Sequence, residues 1–156
     1  MSLSATMLTK SHGAATTALR MMGPLQDVFL LGVRLWLAKV FFLSGLTKIK
    51  SWDTTLVLFE YEYNVPVIPF ELAAYMATAA ELAIPIFLVF GLFTRFSAVA
   101  LFCVNIVAAI SYSDISPAGE KDHIIWGIMT VTLFLYGPGR LAIDWFIKKK
   151  WLDASA

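Results

Sequence analysis

Long apolar stretches separated by short polar segments run through most of the chain. The stretch from Leu25 to Lys50 is apolar and exceeds the ~20 residues that a bilayer-crossing helix needs, so it predicts a helix from about Gln26 to Thr47. Three later apolar stretches predict helices over about residues 72–91, 96–112 and 122–136. This pattern predicts an all-α membrane protein, a bundle of four transmembrane helices.

Two further segments are amphipathic but too short to cross. SWDTTLVLFEY lies between the first and second spans, and the VPVIP that follows it prevents a continuous helix, so a short interfacial or re-entrant helix is expected there. RLAIDWFIKKKW predicts an interfacial C-terminal helix with Lys148–Lys150 toward headgroups. The last span has only ~20 Å of apolar helix, so either it continues through Gly137–Gly139 or the bilayer is thinner there.

The length of 156 residues fits one domain. We expect a flexible cytoplasmic N-terminal tail over residues 1–24, a four-helix membrane domain over 25–147 and a basic C-terminal tail over 148–156. Four spans put both termini on one side, and Lys and Arg collect on that side, so both termini are expected in the cytoplasm. A bacterial inner membrane fits a chain in which we find no organellar signal.

Composition narrows the functional classes. Hydrophobic residues make up 59% of the chain and the net charge is +1, which favours a lipid bilayer as a partner and disfavours nucleic acid. The single cysteine, Cys103, lies in an apolar run and cannot form a disulfide framework or a CxxC pair within the chain. We therefore expect an inert packing thiol.

Charged residues inside the predicted spans are the first candidate site, because charge at that depth is costly and rarely faces lipid. Arg34 and Lys39 lie in the first span and Glu81 in the second, and a depth of about ten residues in each helix predicts an Arg34–Glu81 pair. That pair would be either a structural ion pair or part of a pocket for a quinone head group or a small anion. Asn105, in the third span, would form an interhelical hydrogen bond or contact the ligand.

A second group of candidates lies at the opposite, outer face. His123 and Trp126 are one helical turn apart near the start of the fourth span, and Lys48, Glu60 and Tyr61 are expected at the same face. His123 is either an interfacial histidine above an aromatic-belt tryptophan or part of a proton-entry path or a copper or zinc site. One histidine among scattered acids is weak support for a metal, so we predict none.

Several stretches together resemble the DoxX family of small four-helix membrane proteins. They are RLWLAKVFFLSGLTKI, LFEYEYNVPVIPFELAAYMATAAELAIPIFLVFGLFTRFSA, DHIIWG and GPGRLAID, covering about residues 28–145. The form FEYEYNVPVIP is similar to a branch found beside enzymes that make modified, copper-binding peptides. The family-like polar residues at these positions are Arg34, Lys48, Glu81, Arg95, His123 and Asp144, and Arg95, Arg140 and Asp144 form a motif at the cytoplasmic face.

The resemblance implies a membrane subunit associated with redox chemistry and linked to quinone. No self-contained catalytic motif is readable, so no intrinsic cofactor is predicted, and a bound quinone or a partner would carry the electrons. The expected partner is an oxidoreductase or a peptide-modifying enzyme, with a homo-oligomer as a further expectation. Two alternatives stay open: a small proton-coupled transporter or exporter that titrates Glu81, and a non-catalytic scaffold.

Overall fold

Six helices make up the fold in the computed structural model, which describes the backbone of residues 3–63, 65–112 and 114–154 and the side chains of residues 22–152 within these ranges. They are α1 (Leu3–Lys50), α2 (Trp52–Tyr61), α3 (Phe70–Phe90), α4 (Thr94–Ser111), α5 (Pro117–Tyr136) and α6 (Ile143–Ala154). No strand occurs in these ranges, apart from an isolated bridge between Tyr63 and Tyr112. The all-α prediction is therefore confirmed.

The four long helices close into a bundle. Helix α3 packs between α1 and α4, α4 packs on α5, and α5 returns to α1. The core is apolar, with Leu37, Leu88, Leu101 and Leu133 fully buried. The face of α1 predicted to point inward, from Arg34 through Ala38, Phe41 and Gly45 to Lys48, does point inward: the first four are buried and Lys48 is half-buried.

Membrane character rests on three of these helices. Met22–Lys50 within α1, α3 and α4 are long and apolar enough to cross a bilayer. Helix α5 has 20 residues, but Glu120, Lys121 and Asp122 stand near its start, so its apolar part is shorter. The structure therefore supports a helical membrane protein, while a fourth crossing by α5 stays a prediction.

The helix ends show what the sequence pattern missed. Helix α1 begins at Leu3 instead of near Gln26 and passes through Pro24, so it includes residues predicted as a tail; the side chains of residues 1–21 lie outside the described part. Helix α5 begins five residues earlier than predicted because Ser116 caps it, its hydroxyl accepting a hydrogen bond from the Gly119 N–H at 3.1 Å, with Pro117 in the first turn. The division into tail, membrane domain and basic C-terminus stays a prediction.

Two short elements match their predicted positions. Helix α2 follows α1 directly, packs against α3 and is held to the end of α1 by Thr55, whose hydroxyl donates to the carbonyl of Lys48 at 2.9 Å. Helix α5 ends at Tyr136, where Gly137 with φ of 78° turns the chain, so α5 does not continue through Gly137–Gly139. Helix α6 follows, and this short amphipathic helix carries Lys148–Lys150.

Close packing between α1 and α3 depends on Gly45. A Cβ atom there would lie 2.9 Å from the Leu82 side chain and 3.2 Å from the backbone carbonyl carbon of Glu81. Gly32, on the exposed side of the same helix, has nothing within 4 Å of the same atom. The two positions provide a test and its matched control.

We expect Gly45→Ala to lower the free energy of unfolding by about 1–3 kcal/mol, because the added methyl forces two packed helices apart. Gly32→Ala should be neutral or slightly stabilising, since alanine favours a helix over glycine. Thermal and denaturant unfolding of both variants in detergent measures the difference. Equal stability of the two variants would show that the α1–α3 contact is looser than described.

Candidate functional site

Polar side chains inside the bundle form two separate groups at its two ends. Gly45 on α1 contacts Leu82 and Glu81 on α3, so Glu81 lies level with Gly45. Arg34 is eleven residues earlier on α1, which places its backbone roughly 16 Å away along the helix. Between these levels the buried face of α1 is apolar, with Leu37, Ala38 and Phe41. We call the two groups the Arg34 end and the Lys48 end.

The predicted Arg34–Glu81 pair is therefore wrong. One guanidinium nitrogen of Arg34, Nη2, donates to the backbone carbonyl of Leu141 at 2.5 Å, and Glu81 instead accepts from Lys48. The prediction counted residues inward from the start of each helix. Antiparallel helices start at opposite membrane faces, and α1 is longer than predicted, so equal counts did not mean equal depth.

The Lys48–Glu81 ion pair is the centre of the Lys48 end. Lys48 Nζ lies 2.6 Å from Glu81 Oε2, and the side chains are only 16% and 7% exposed. The same ammonium donates to the Ser44 hydroxyl one turn earlier, at 2.9 Å. Because both side chains are largely shielded from solvent, the attraction between the two charges is strong and holds both groups in place.

This ion pair lines a cleft of about 800 Å³ formed by residues of helices α1 to α5 and of the loops at that end. The walls are mostly apolar, and a small number of polar groups also line the cleft, which is the usual composition of a small-molecule site. One of these groups is Ser111, whose buried hydroxyl has no hydrogen-bond partner among the described residues. A buried hydroxyl without a partner favours a bound molecule or water at this place.

His123 and Asn105 join α5 to α4 beside the cleft. The Asn105 side-chain amide donates to the backbone carbonyl of His123 at 2.8 Å, and its oxygen lies 2.8 Å from His123 Nδ1. Because that oxygen only accepts, Nδ1 carries the hydrogen, and Nε2 of the neutral ring is left as an acceptor. Asn105 thus makes the interhelical bond expected from sequence. His123 lines the cleft, with the Trp126 ring 5.0 Å from its own.

Two tyrosines, Tyr63 and Tyr112, also line the cleft. Tyr63 stacks on Phe59 at 4.8 Å and contacts Tyr112 at 5.1 Å between ring centroids. Burial, with a further contribution from the charge of Glu81, raises the pKa of the Tyr63 phenol above its usual value. Tyr63 is therefore a protonated hydrogen-bond donor throughout the neutral range.

Other predicted site residues lie elsewhere. Glu60 and Tyr61 are exposed on α2 and do not line the cleft. Lys39 is exposed on the outside of α1, with its ammonium 5.8 Å from the Trp36 ring. Among the described residues no three His, Cys, Asp or Glu side chains come together as a metal site would require. Cys103, expected as a packing thiol, is exposed and lines the cleft.

The Arg34 end is a junction between two loops. The carboxylate of Asp144 accepts hydrogen bonds from the backbone N–H groups of Phe93 and Thr94, each at 2.8 Å, and so caps the start of α4. The Asp144 N–H donates to the carbonyl of Gly91 at 2.9 Å. These hydrogen bonds hold the GLFTR and GPGRLAID motifs together in space.

Arg34 fills the space under this junction. Its side chain is fully buried, and a Cβ atom on Gly91, which has φ of +64°, would lie 1.8 Å from Arg34 Nη1. Asp144 provides the nearby opposite charge. Nothing larger than glycine fits at Gly91, so the turn and the buried arginine depend on each other.

A second ion pair closes the same end. Asp27 accepts from the backbone N–H of Arg140 at 2.7 Å and from its side-chain Nε at 2.5 Å. Arg95 reaches the carbonyl of Leu135 at 3.4 Å. Arg95, Arg140 and Asp144 therefore lie at one end of the bundle, and Asp27 is a partner of Arg140 that the sequence analysis did not identify. An acid at the start of an apolar span was the available signal.

We expect Asp144→Ala to destabilise the protein by about 1–2 kcal/mol, because two N–H groups at the start of α4 lose their acceptor. The stability of Asp144→Asn should lie between that of Asp144→Ala and that of the native protein, since the amide oxygen can still accept a hydrogen bond. Asp114→Ala, in an exposed loop, serves as the control. Denaturant unfolding in detergent measures all three, and a neutral Asp144→Ala would contradict a capping role.

Comparison with known proteins places the chain in a family. The model of the DoxX family matches residues 29–114. An uncharacterized protein of Haemophilus influenzae (strain ATCC 51907 / DSM 11121 / KW20 / Rd) is 34% identical over 138 residues, which cover 83% of this chain and 90% of that protein. No solved structure matches. With more than half of its length matched by the family model, this chain belongs to the DoxX family of membrane proteins.

Proposed function

We propose that the protein is a membrane subunit that binds a quinone in the cleft at the Lys48 end and serves a partner oxidoreductase. The observation that carries the proposal is the buried Lys48–Glu81 pair in the wall of a mostly apolar cleft of about 800 Å³. A quinone is an apolar molecule with two carbonyl oxygens, so it needs apolar walls and a few donors. The cleft offers that combination.

The donors in the cleft match this chemistry. The Lys48 ammonium, the Tyr63 phenol and the unpartnered Ser111 hydroxyl line it and can donate to a carbonyl oxygen. His123 lines the same space, and its ring can hold a proton near that oxygen. A bound quinone would accept two electrons from the partner, and two protons would reach it through polar side chains of the cleft.

Quinone binding is better supported than a proton-coupled transport path. Among the described residues, the polar groups at the two ends of the bundle are separated by Leu37, Phe41 and Leu88, which are buried apolar side chains. Glu81 is also paired with Lys48, whereas a titrating transport acid works best when its charge is free to change. Proton-driven flux in proteoliposomes would favour the transporter over this proposal.

Localisation and partner choice are part of the proposal. The Arg34 end carries Arg95, Arg140 and the lysines of α6, and the Lys48 end carries most of the acids, which supports cytoplasmic termini in a bacterial inner membrane. The proposed partner is either an oxidoreductase or a peptide-modifying enzyme. A second copy of the chain is a further candidate partner.

The test replaces the whole ion pair. Removing one partner would leave the other buried and unpaired, at a cost of roughly 3–5 kcal/mol, so the variant is Lys48→Met with Glu81→Leu. We expect it to fold and to bind a short-chain benzoquinone at least about tenfold more weakly, because a charge-assisted hydrogen bond is lost. The matched control removes the ion pair at the other end, Asp27→Leu with Arg140→Met.

Quenching of Trp126 fluorescence, in a protein whose other four tryptophans are phenylalanine, measures binding directly because Trp126 lines the cleft. The control pair should bind as the native protein does. Unchanged affinity in the Lys48/Glu81 variant, or an equal loss in the control, would contradict the proposed site.

A further inference from the structure

Exposed lining residues on two sides of the cleft mark two openings. One set of exposed lining residues belongs to facing sides of α3 and α4 and is apolar: Met76 is 56% exposed, Val107 is 40% exposed, and Cys103 is exposed. A second set, on α1 and at the start of α5, is mixed: Thr47 and Ser116 are exposed and polar, and Leu43 is apolar and 50% exposed. We call the first opening the α3–α4 mouth.

The α3–α4 mouth lies at the depth of the hydrocarbon. Cys103 is nine residues after Thr94 and eight before Ser111, so it is roughly 12–14 Å from either end of α4. Both α3 and α4 are long and apolar enough to cross the bilayer, whose core is ~30 Å thick. The α3–α4 mouth therefore opens toward acyl chains, whereas Ser116, the N-cap of α5, places the second opening at the end of the bundle.

Small residues widen the α3–α4 mouth. On α3 the lining includes Ala77 and Ala80, each half-buried, beside the flexible thioether of Met76. On α4 the facing side includes Ala108. Alanines have the smallest side chains after glycine, so this border of the cleft suits a narrow hydrocarbon chain between the two helices. The polar groups of the cleft, Lys48 and Glu81, lie deeper than this apolar border.

We propose that the ligand of the cleft enters sideways from the bilayer through the α3–α4 mouth, and that its hydrocarbon tail stays in that mouth when the head group binds. This inference rests on the proposed function for the nature of the head group. It narrows the ligand to a lipid-soluble molecule with a long hydrocarbon chain, because a water-soluble head group has no reason to pass through the acyl-chain region. The second opening is left for exchange of protons with water.

Neighbouring alanines on α3 give a matched pair of variants. Ala80 lines the α3–α4 mouth, and Ala79, exposed one residue earlier, does not. Each is changed to leucine in the single-Trp126 protein, placed in phosphatidylcholine nanodiscs. Two probes share one dimethoxy-methyl-benzoquinone head: one has no tail and the other carries a decyl chain. Affinity is expressed per mole of lipid, which removes the effect of partitioning.

We expect Ala80→Leu to weaken the decyl probe about tenfold, the usual penalty for overfilling a packed space, and to leave the tailless probe within about twofold of native. Ala79→Leu should leave both probes unchanged. Equal loss of both probes in Ala80→Leu, or no loss of the decyl probe, would overturn the proposed tail position.

If the proposed function is wrong, neither quinone probe binds the native protein, and this result differs from a failure of the tail position alone. In that case lipids brominated in mid-chain test the α3–α4 mouth alone, by quenching Trp126 from within the bilayer. Stronger quenching in the native protein than in Ala80→Leu supports a lateral opening, and equal quenching removes it.

Discussion

The antiparallel contact between α1 and α3 decides where Lys48 meets Glu81 and where Arg34 lies beneath the turn at Gly91. At Gly45 the two helices pack so closely that a single methyl group would collide with Leu82, and this fixes their register. Once the register is set, Lys48 reaches Glu81, and Arg34 falls beneath the turn at Gly91. A slide of one turn along either helix would leave both cations without partners, at a cost that a bilayer makes severe.

The two ends that result have different natures. At the Arg34 end the polar groups are directed at backbone: Asp144 at two N–H groups, Arg34 at a carbonyl, and Asp27 at Arg140. Such contacts hold loops in place, although Arg34 Nε and Nη1 and the hydroxyls of Thr94 and Ser97 are also buried there without a partner among the described residues. At the Lys48 end the polar groups are side chains around a space, and one of them, the Ser111 hydroxyl, has no partner in the described part of the chain. The Lys48 end differs in that its polar groups surround a cleft of about 800 Å³.

Much of the fold follows from periodicity, and much of the site does not. The apolar stretches predicted α3 and α4 to within two residues at each end, and the spacing of Arg34, Phe41 and Lys48 predicted the inward face of α1. The pairing of charges could not be obtained this way, because it depends on the vertical register of two helices, which a glycine contact sets. Likewise, Tyr63 and Ser111 carry no pattern that distinguishes a cleft wall from an outer surface.

The charged start of α5 has a consequence for the bilayer itself. If α5 lies beside α4 in the membrane, its apolar part from His123 to Tyr136 is only about 20 Å long against a core of ~30 Å. The lipid then adapts through hydrophobic mismatch: headgroups dip inward along α5, and the membrane is locally thin on that side. In that arrangement water would approach His123 from one flank while acyl chains contact Cys103 on the other. The protein would then have a hydrated side and a lipid-facing side at nearly the same depth.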